Sequence, residues 1–354
     1  MKPLFHPSLV NGPFDDPGVY IDFLFEKRAL LFDLGDLHAL PPRKILRVSH
    51  VFVSHAHMDH FSGFDRMVRI MLAREKLLRL FGPPGFVDRV AHRLASYTWN
   101  LVDNYSADFT IVAVEFDGTQ LRSAQFRCRN RFAREAETVS PVSDGILLDE
   151  DTFRIRCVLL DHRIPSLAFA LEEKKHVNIM KNRLREKGFV VGPWLTELKT
   201  AVLRGDPDEG LFRVWWREGT GIREQLLALG GLKEKILRIV PGQKIAYVTD
   251  AVCSSDNAAR IMELVRQADY LFIETMFLQQ DEAQARQKYH LTAWQAGSIA
   301  RQAGAVRVIP FHFSPKYTGR SEELRRELAA AFEGQGEKRD ISFASSTLSS
   351  SKVS

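Results

Sequence analysis

Alternating and continuous apolar runs in the first third of the chain predict β-strands joined by polar turns. Residues 19–34 hold two such runs around a turn at 26–28, and a third run, VSHVFVS, occupies 48–54. Residues 64–80 then carry apolar side chains at helical spacing, which predicts one helix ended by the Gly-Pro-Pro-Gly stretch at 82–85. Strands that lead through a loop into a helix are typical of an α/β fold.

The last third of the chain repeats this order. KIAYVTD at 244–250 and YLFIE at 270–274 are expected to be strands, and Ser254 or Ser255 is expected to cap a helix that runs through Ala268.

One more helix and strand follow. Thr292 can cap the helix TAWQAGSIARQA, which Gly304 ends, and VRVIPFHF forms a strand that delivers His312. Polar side chains thus follow several predicted strands, which is where α/β sheets place their sites.

Composition and charge limit the classes of protein. The 354 residues are 45% hydrophobic, enough for a sizeable core, and 49 Lys and Arg against 44 Asp and Glu leave a net charge of +5. This mild excess permits a polyanionic partner. Three widely spaced cysteines indicate a reducing compartment, and no apolar run approaches the ~18 residues of a membrane span. We expect a cytoplasmic protein with no membrane partner.

Two basic segments and a polar tail stand apart from this pattern. Residues 122–135 carry five arginines and one glutamate, and 174–187 carry six Lys or Arg and one glutamate. Such runs are usually solvated faces. We expect one domain over 1–340 and a Ser-rich disordered tail at 341–354.

The stretch SHAHMDH at 54–60 gathers three histidines and an aspartate directly after a predicted strand. His55 and His57 can face one point because alternate side chains of an extended segment share a side, and the next turn brings Asp59 and His60 to the same region. Imidazoles and carboxylates are ligands of first-row metals. Other histidines lack a clustered partner and are expected to be ordinary structural or solvated residues: His6, His38, His50, His92 and His176.

Further candidate ligands follow apolar, strand-like residues later in the chain. They are His162 in LLDHRIPS, Asp250 in YVTDA and His312 in IPFHFSPKY. A lone histidine after a strand is usually structural, but the order of these residues behind His-x-His-x-Asp-His makes the set specific.

This ordered set, over about residues 20–320, resembles the metallo-β-lactamase superfamily. The resemblance implies an α/β fold, namely a four-layer αβ/βα sandwich with two metal ions between its inner sheets. The implied ligands are His55, His57 and His162 for one metal, Asp59, His60 and His312 for the other, and Asp250 as the bridge. Asp33 in LFDLGD matches the family's first aspartate, which would orient the ligand loop.

Two segments resemble the ribonuclease Z family, endonucleases that trim the 3′ side of precursor transfer RNA. YHLTAWQAGSIARQAGAVRVIPFHFSPKY is similar to that family's His-Ser-Thr segment and final histidine, with His290 and Thr292 matching and Leu291 in place of serine. FIETMF is similar to its His-Glu-Ala-Thr-Phe. Glu274 matches there, whereas Ile273 and Met276 replace histidine and threonine.

A third segment, 188–199, resembles the exosite sequence Gly-x-Pro-x-Gly-Pro-x4-Leu-Lys of that family, with Gly192 and Pro193 matching and Val190 in place of proline. There it belongs to an arm that clamps the transfer RNA elbow, so an inserted exosite-like arm is expected at about 174–205. Two features of the family are not recognisable: its glycine-rich opening strand and the Gly-Glu-Gly-Thr-Gln that normally follows the first aspartate. The chain therefore resembles a divergent member of the family.

The resemblance implies a dinuclear-metal phosphodiesterase that cleaves the 3′ trailer of precursor transfer RNA by a metal-activated hydroxide. Asp59 would accept the proton of the attacking water, and His290, oriented by Glu274, would donate a proton to the leaving oxygen. Thr292 would support this site without itself binding metal or substrate. The implied substrate contacts are Lys316, Gly192 and Pro193.

Two divalent metal ions are expected as cofactors, with zinc first and manganese or iron as alternatives, because histidine and carboxylate suit all three. The resemblance also suggests a homodimer. Two other hypotheses stay open: a small-molecule hydrolase of the same fold, acting on cyclic nucleotides, lactones or thioesters, and a metal-stabilised binding module without turnover.

Overall fold

The computed structural model describes residues 4–219 and 221–335, and the chain divides into two compact units. The first takes in Met1–Leu147, Ile155–Leu171 and Lys244–Ser354, and the second Leu148–Arg154 and Glu172–Gln243. The tail expected at 341–354 lies outside the described residues. No helix in the described ranges combines the length and the apolar character that a bilayer crossing requires.

The strands of the described residues, in chain order, are β1 (Phe5–Leu9), β2 (Val19–Phe23), β3 (Ala29–Phe32), β4 (Val48–Phe52), β5 (Lys76–Gly82), β6 (Phe109–Phe116), β7 (Gln120–Arg127), β8 (Arg134–Pro141), β9 (Ile146–Asp149), β10 (Phe153–Asp161), β11 (Pro165–Glu173), β12 (His176–Ile179), β13 (Leu211–Glu218), β14 (Gly221–Ala228), β15 (Leu237–Val240), β16 (Lys244–Val248), β17 (Tyr270–Glu274) and β18 (Val308–Phe311).

The α-helices of the same residues are α1 (Pro42–Ile45), α2 (Met58–Phe61), α3 (Phe64–Met71), α4 (Phe86–Ala95), α5 (Lys181–Glu186), α6 (Trp194–Arg204), α7 (Leu229–Ile236), α8 (Ser255–Val265), α9 (Glu282–Gln287), α10 (Ala293–Gln302) and α11 (Ser321–Glu333).

Two β-sheets form the centre of the first unit. The larger sheet has its eight strands in the order β1 to β8, and the smaller sheet has the order β18-β17-β16-β11-β10-β9. Strands β3 to β6 run parallel, as do β16 to β18. Parallel strands need crossover connections, and helices supply most of these here. The parallel strands of each sheet therefore end at one edge, where side chains from distant parts of the chain can meet.

The layers of this unit are two helical layers outside and two sheets inside. Helices α3 and α4 share a buried core with the larger sheet, and α8, α10 and α11 share another with the smaller sheet. The inner faces of the sheets meet through aromatic rings, since the Phe169 ring centroid lies 5.5 Å from that of Phe32 and 5.8 Å from that of Phe52. The expected four-layer αβ/βα sandwich is confirmed.

Most predicted elements are present, but the helix expected over 64–80 is wrong. α3 ends at Met71, and β5 begins at Lys76. Between them Ala73 has a φ of 58°, a left-handed conformation that a helix interior does not allow. The apolar residues Leu78 and Leu80 are buried in the larger sheet instead.

Both predicted caps are confirmed. The Ser254 side chain accepts a hydrogen bond from Asn257 N, and its helix ends at Val265. Thr292 forms a reciprocal capping box with Gln295 at the start of α10. The Thr292 side chain is fully buried, so its cap is internal to the first unit.

The second unit has its own core beneath two antiparallel pairs, β12 with β15 and β13 with β14. Trp194 is its largest fully buried side chain, and its indole nitrogen donates to Val190 O at 2.9 Å. The segment 174–205 expected as an arm lies in this unit, which continues to Gln243 and also holds the hairpin β13–β14. The single domain over 1–340 stays a prediction.

The buried His50, which was expected to be structural, should make the stability of the protein depend on pH. It is 5% exposed in β4, and its Nδ1 lies 3.2 Å from Arg28 Nη2. Burial, and then Arg28 and other nearby cations, lower the His50 pKa to about 3. The unfolded chain, with a pKa near 6.5, therefore binds more protons below that pH, and stability falls as the pH falls towards 3.

Between pH 7 and pH 5, the free energy of unfolding should fall further in the wild type than in His50→Gln. We predict a difference of about 2 kcal/mol, at roughly 1.36 kcal/mol per pKa unit. Denaturant unfolding of the metal-free wild type and variant at both pH values measures this difference. An identical loss in the two proteins would contradict a neutral, buried His50.

Candidate metal centre

The SHAHMDH segment forms the transition from β4 to the single turn α2. His57 is the extended residue directly before α2, with φ −67° and ψ 158°, and Asp59 and His60 lie inside that turn. The ring centroid of His55 is 4.4 Å from that of His57 and 4.2 Å from that of His60. His55 and His60 are fully buried, whereas His57 is exposed. A strand end and one turn thus bring the predicted residues together.

A buried hydrogen-bond network centred on Asp33 fixes this loop. The carboxylate accepts hydrogen bonds from Ser54 N at 2.6 Å, Ser54 Oγ at 2.8 Å and the Tyr247 hydroxyl at 2.7 Å. It also holds Nδ1 of His60 at 2.7 Å. With Nδ1–H engaged, the lone pair of Nε2 is directed into the site.

Close backbone packing also sets the loop's position. A Cβ on Gly63 would lie 2.2 Å from Gly35 O, and a Cβ on Gly35 would lie 2.6 Å from Asp59 O. Both glycines are therefore required where residues 33–35 cross the loop.

The remaining candidate ligands follow the ends of three strands in the smaller sheet. His162 follows β10, Asp250 comes two residues after β16, and His312 follows β18. Nδ1 of His162 lies 2.7 Å from Tyr289 O and donates its proton there, so Nε2 carries the lone pair that could bind a metal. The Thr249 hydroxyl donates to Asp250 Oδ1 at 2.8 Å.

Asp250 lies at the centre of the cluster. Its Oδ2 is 3.4 Å from His55 Nε2 and 3.3 Å from His162 Nε2, while its Oδ1 is 3.5 Å from His60 Nε2 and 3.0 Å from His312 Nδ1. The two oxygens thus face two different pairs of histidines. Nε2 of His312 lies 3.3 Å from Asp59 Oδ2 on the outer side.

The donor set fits divalent cations. Three groups have ligand atoms that all lie within 4.8 Å of one another: His55, His57, His162 and Asp250; Asp59, His60 and His312; and Asp250, Glu274, His290 and His312. Three imidazole nitrogens of the cluster are buried without a hydrogen-bond partner within the described residues: His55 Nε2, His60 Nε2 and His312 Nδ1. Orphaned buried polar atoms are rare, and three that face carboxylate oxygens are what a metal site requires.

Burial and mutual charge perturb the pKa values of the cluster. Burial, reinforced by His60, lowers the His55 pKa to about 2. Burial opposes protonation of His60 too, but Asp250 and Asp33 outweigh it and raise the His60 pKa well above its usual value. Burial would raise the Asp250 pKa, yet His312 and His60 hold it well below its usual range. Metal binds a neutral imidazole and an ionised carboxylate, so His55 and Asp250 are already in the binding form, whereas a cation would have to displace the proton that the carboxylates favour on His60.

Beside this cluster lies a histidine–carboxylate pair. Glu274, fully buried at the end of β17, accepts Ala251 N at 2.8 Å through Oε1 and holds His290 Nδ1 at 2.8 Å through Oε2. Burial alone would lower the His290 pKa, but Glu274 outweighs it and raises that pKa. His290 is therefore oriented and kept protonated to a higher pH than a free histidine.

Backbone conformation at the centre is unusual in a way the sequence did not reveal. Asp33, Asp250 and His312 have φ values of 58°, 44° and 58°. Non-glycine residues rarely adopt this left-handed conformation, and such residues cluster at functional sites. Sequence reasoning also missed Ser54 and Tyr247, whose hydrogen bonds to Asp33 cross between chain segments without any local signal.

A cavity of about 460 Å³ opens onto the cluster. Its lining includes six of the predicted residues: His57, Asp59, His162, Asp250, His290 and His312. It also includes Arg163 and Lys288, for which the structure shows no ion pair within residues 4–219 and 221–335, and the rim is therefore cationic. Neither residue had been singled out from the sequence.

Three predicted substrate contacts do not line this cavity. Lys316 pairs with Asp281 Oδ1 at 2.7 Å and donates to Gln284 Oε1 at 3.1 Å. Gly192 and the exposed Pro193 lie in the second unit, directly before α6.

Comparisons with known proteins agree with this geometry. The beta-lactamase superfamily domain matches residues 236–313. A ribonuclease Z of Deinococcus radiodurans is 29% identical over 305 residues, which are 85% of this chain and 86% of that protein. A ribonuclease Z of Thermobifida fusca is 36% identical over 193 residues, 54% of this chain and 52% of that protein. The metallo-beta-lactamase fold protein YhfI from Bacillus subtilis is 14% identical, with a TM-score of 0.52 over 93% of this chain and 94% of that one, a likeness of fold.

Proposed function

We propose that this chain, a divergent member of the ribonuclease Z family in the metallo-β-lactamase superfamily and a metal-dependent hydrolase, cleaves the 3′ trailer from precursor transfer RNA. The observation that carries the proposal is the position of Asp250. Each of its oxygens faces a different pair of imidazole nitrogens, and three of those four nitrogens are buried without a hydrogen-bond partner. That arrangement supports two cations that share one carboxylate.

The proposed metal ligands are those named from the sequence. His55, His57 and His162 would hold one cation, Asp59, His60 and His312 the other, and Asp250 both. Two such cations lower the pKa of water towards neutrality and offset negative charge on a phosphodiester. We take zinc as the native metal, with manganese or iron as alternatives.

The chain's own groups would move the protons. We assign to Asp59 the acceptance of a proton from the attacking water, because its carboxylate borders the cavity and its side chain is 43% exposed. We assign to His290 the donation of a proton to the leaving oxygen, because its Nδ1 is engaged by Glu274 and its ring lines the cavity. Glu274 is a positioning residue in this scheme.

Substrate binding is proposed to use positive charge in the second unit. In α5 and directly after it, Arg183, Arg185 and Lys187 are exposed, and none has an ion pair within the described parts of the chain. Leu184 between them is buried in that unit's core. Free cations on a short helix can contact RNA phosphates, which dominate the affinity of such complexes. We further propose a cytoplasmic homodimer.

Removing these three charges tests the role of the second unit. We predict that Arg183→Ala, Arg185→Ala and Lys187→Ala combined make the plot of log affinity against log salt shallower by roughly two to three, at about 0.7–0.9 for each lost phosphate contact. Binding of precursor transfer RNA across a salt series measures this slope. Hydrolysis of a small aryl phosphodiester should not change.

A matched control separates a local contact from net charge. Three exposed arginines of the first unit serve for it: Arg301, Arg307 and Arg326. If the control triple variant and the test triple variant give equal salt slopes, the effect comes from the net charge of the protein and not from phosphate contacts in the second unit.

A small-molecule hydrolase is the second candidate function. The cavity of about 460 Å³ lies within the range that small ligands occupy, roughly 300–1,000 Å³. The assay that decides uses metal-loaded protein with precursor transfer RNA and with a panel of cyclic nucleotides, lactones and thioesters. Site-specific cleavage at the 3′ trailer supports the nuclease, and turnover of one small ester with RNA left intact would replace it.

A further inference from the structure

Next to the candidate metal centre lies a second groove, of about 660 Å³. We infer that it binds one unpaired nucleotide of the RNA beside the bond that is cleaved, an inference that rests on the proposed function. Arg89 would contact a phosphate, and Tyr97 would stack on the base.

The groove shares a wall with the metal centre. Ala56 and Phe61 line it. Ala56 lies between the candidate ligands His55 and His57, and Phe61 directly follows the candidate ligand His60. His57 lines the catalytic cavity while Ala56 lines the groove, because neighbouring side chains of an extended segment point to opposite sides. The groove and the catalytic cavity therefore lie on either side of the same short segment.

Helix α4 supplies the groove with two arginines and a histidine. Arg89, His92 and Arg93 lie on one face of it, at the spacing of three and four residues that makes side chains neighbours. Arg93 is not available to a ligand, since it donates from Nε and Nη2 to both oxygens of Asp65, at 2.8 and 2.5 Å. This fork also offsets the Asp65 charge, which would otherwise repel an anion.

Arg89 differs from Arg93 because its guanidinium has no hydrogen bond or ion pair anywhere in the described residues. The side chain is exposed, and its Nη1 lies near Gly85, 2.5 Å from where a Cβ on that residue would stand. Gly85 has a φ of 81° and lacks that atom, so the guanidinium has room over the backbone there. An exposed guanidinium with unused donors suits a phosphate, which it can bind in a bidentate manner.

Tyr97 supplies the aromatic surface. Its side chain is 44% exposed, and its ring is braced edge-on by Trp99 with centroids 5.8 Å apart. Asp65, beside the Tyr97 hydroxyl, raises the pKa of that group, and burial adds to the shift. Exposed, braced aromatic rings beside arginines are how proteins bind single-stranded nucleic acid without reading its sequence.

The test is binding of a fluorescent single-stranded RNA of about eight nucleotides, a length within the usual site sizes. Fluorescence anisotropy with the metal-loaded chain is expected to show weaker binding for Arg89→Ala and a salt slope shallower by about one. Tyr97→Ala is expected to weaken binding by roughly 5- to 150-fold, the equivalent of about 1–3 kcal/mol of stacking, whereas Tyr97→Phe keeps most of the affinity.

Controls separate this inference from the function on which it rests. Arg74→Ala removes an exposed arginine outside the groove and should bind like the wild type. Hydrolysis of bis(p-nitrophenyl) phosphate should be unchanged in Arg89→Ala and Tyr97→Ala, because that substrate is too small to need the groove. Loss of this activity as well would overturn the inference by showing damage to the metal centre.

Two further outcomes would overturn the groove assignment. One is unchanged RNA affinity in both variants while the wild type still cleaves precursor transfer RNA, which leaves the proposed function standing. The other combines two results: Arg89→Ala weakens RNA binding while Tyr97→Ala does not, and inorganic phosphate competes fully with the RNA. That outcome indicates an anion site instead. If the wild type binds the probe through Arg89 and Tyr97 yet cleaves no precursor, the inference holds and the transfer RNA assignment fails.

Discussion

Asp250→Asn is expected to remove bound metal and to lower phosphodiester hydrolysis by roughly 10³-fold or more, since loss of metal assistance costs several kcal/mol of transition-state stabilisation. The substitution keeps the size of the side chain and removes its charge. Both oxygens of Asp250 face histidines, so a neutral amide weakens both halves of the centre at once. Metal content by mass spectrometry, with initial rates on the same samples, measures the effect.

Asp256→Asn is the matched control, because Asp256 is an exposed carboxylate in the first turn of α8, outside the cluster. It should keep both metals and the full rate. Retention of two metals and near-normal turnover in Asp250→Asn would rule out a shared carboxylate at the centre.

His290→Ala is expected to keep both metals and to lower RNA cleavage by about 10²- to 10⁴-fold, the range for loss of a general acid. The reason lies in its surroundings. Glu274 raises the pKa of His290, so the imidazole keeps a proton to a higher pH than a free histidine, and the buried carboxylate fixes the ring beside the cavity. An RNA leaving oxygen is strongly basic and needs that proton.

The leaving group provides a sharper readout for His290. A nitrophenolate departs without a proton, so hydrolysis of bis(p-nitrophenyl) phosphate should fall much less than RNA cleavage in the same variant. Glu274→Gln should show the same selective loss in a milder form. Equal losses on both substrates would assign His290 to metal binding or to folding and remove it from the catalytic scheme.

The clustering of the candidate ligands could be expected from the sequence on two grounds. Side chains at the ends of parallel strands meet at one edge of a sheet, and the SHAHMDH segment combines a period of two with a turn. Asp250 and His312 carried little signal alone, and it was the resemblance of the whole ordered set to a known family that joined them to His55. The structure brings them together at the position where that rule puts them.

The parts that could not be predicted depend on contacts without a local signal. The break between α3 and β5 has no glycine or proline, since Ala73 itself adopts the left-handed conformation. Tyr247 reads as an ordinary strand residue, and its bond to Asp33 joins residues 214 apart in sequence. The ion pair of Lys316 with Asp281 is likewise created only by the fold, and the phosphate contact expected of Lys316 stays a prediction.

Metal titration of the metal-free chain tests the central claim most directly, with cleavage of precursor transfer RNA followed at each addition. We expect no cleavage without metal and a rate that rises until two equivalents per chain are bound, with the 3′ trailer released. Cleavage that survives complete removal of metal, or a chain that binds two equivalents and leaves the precursor intact, would contradict it.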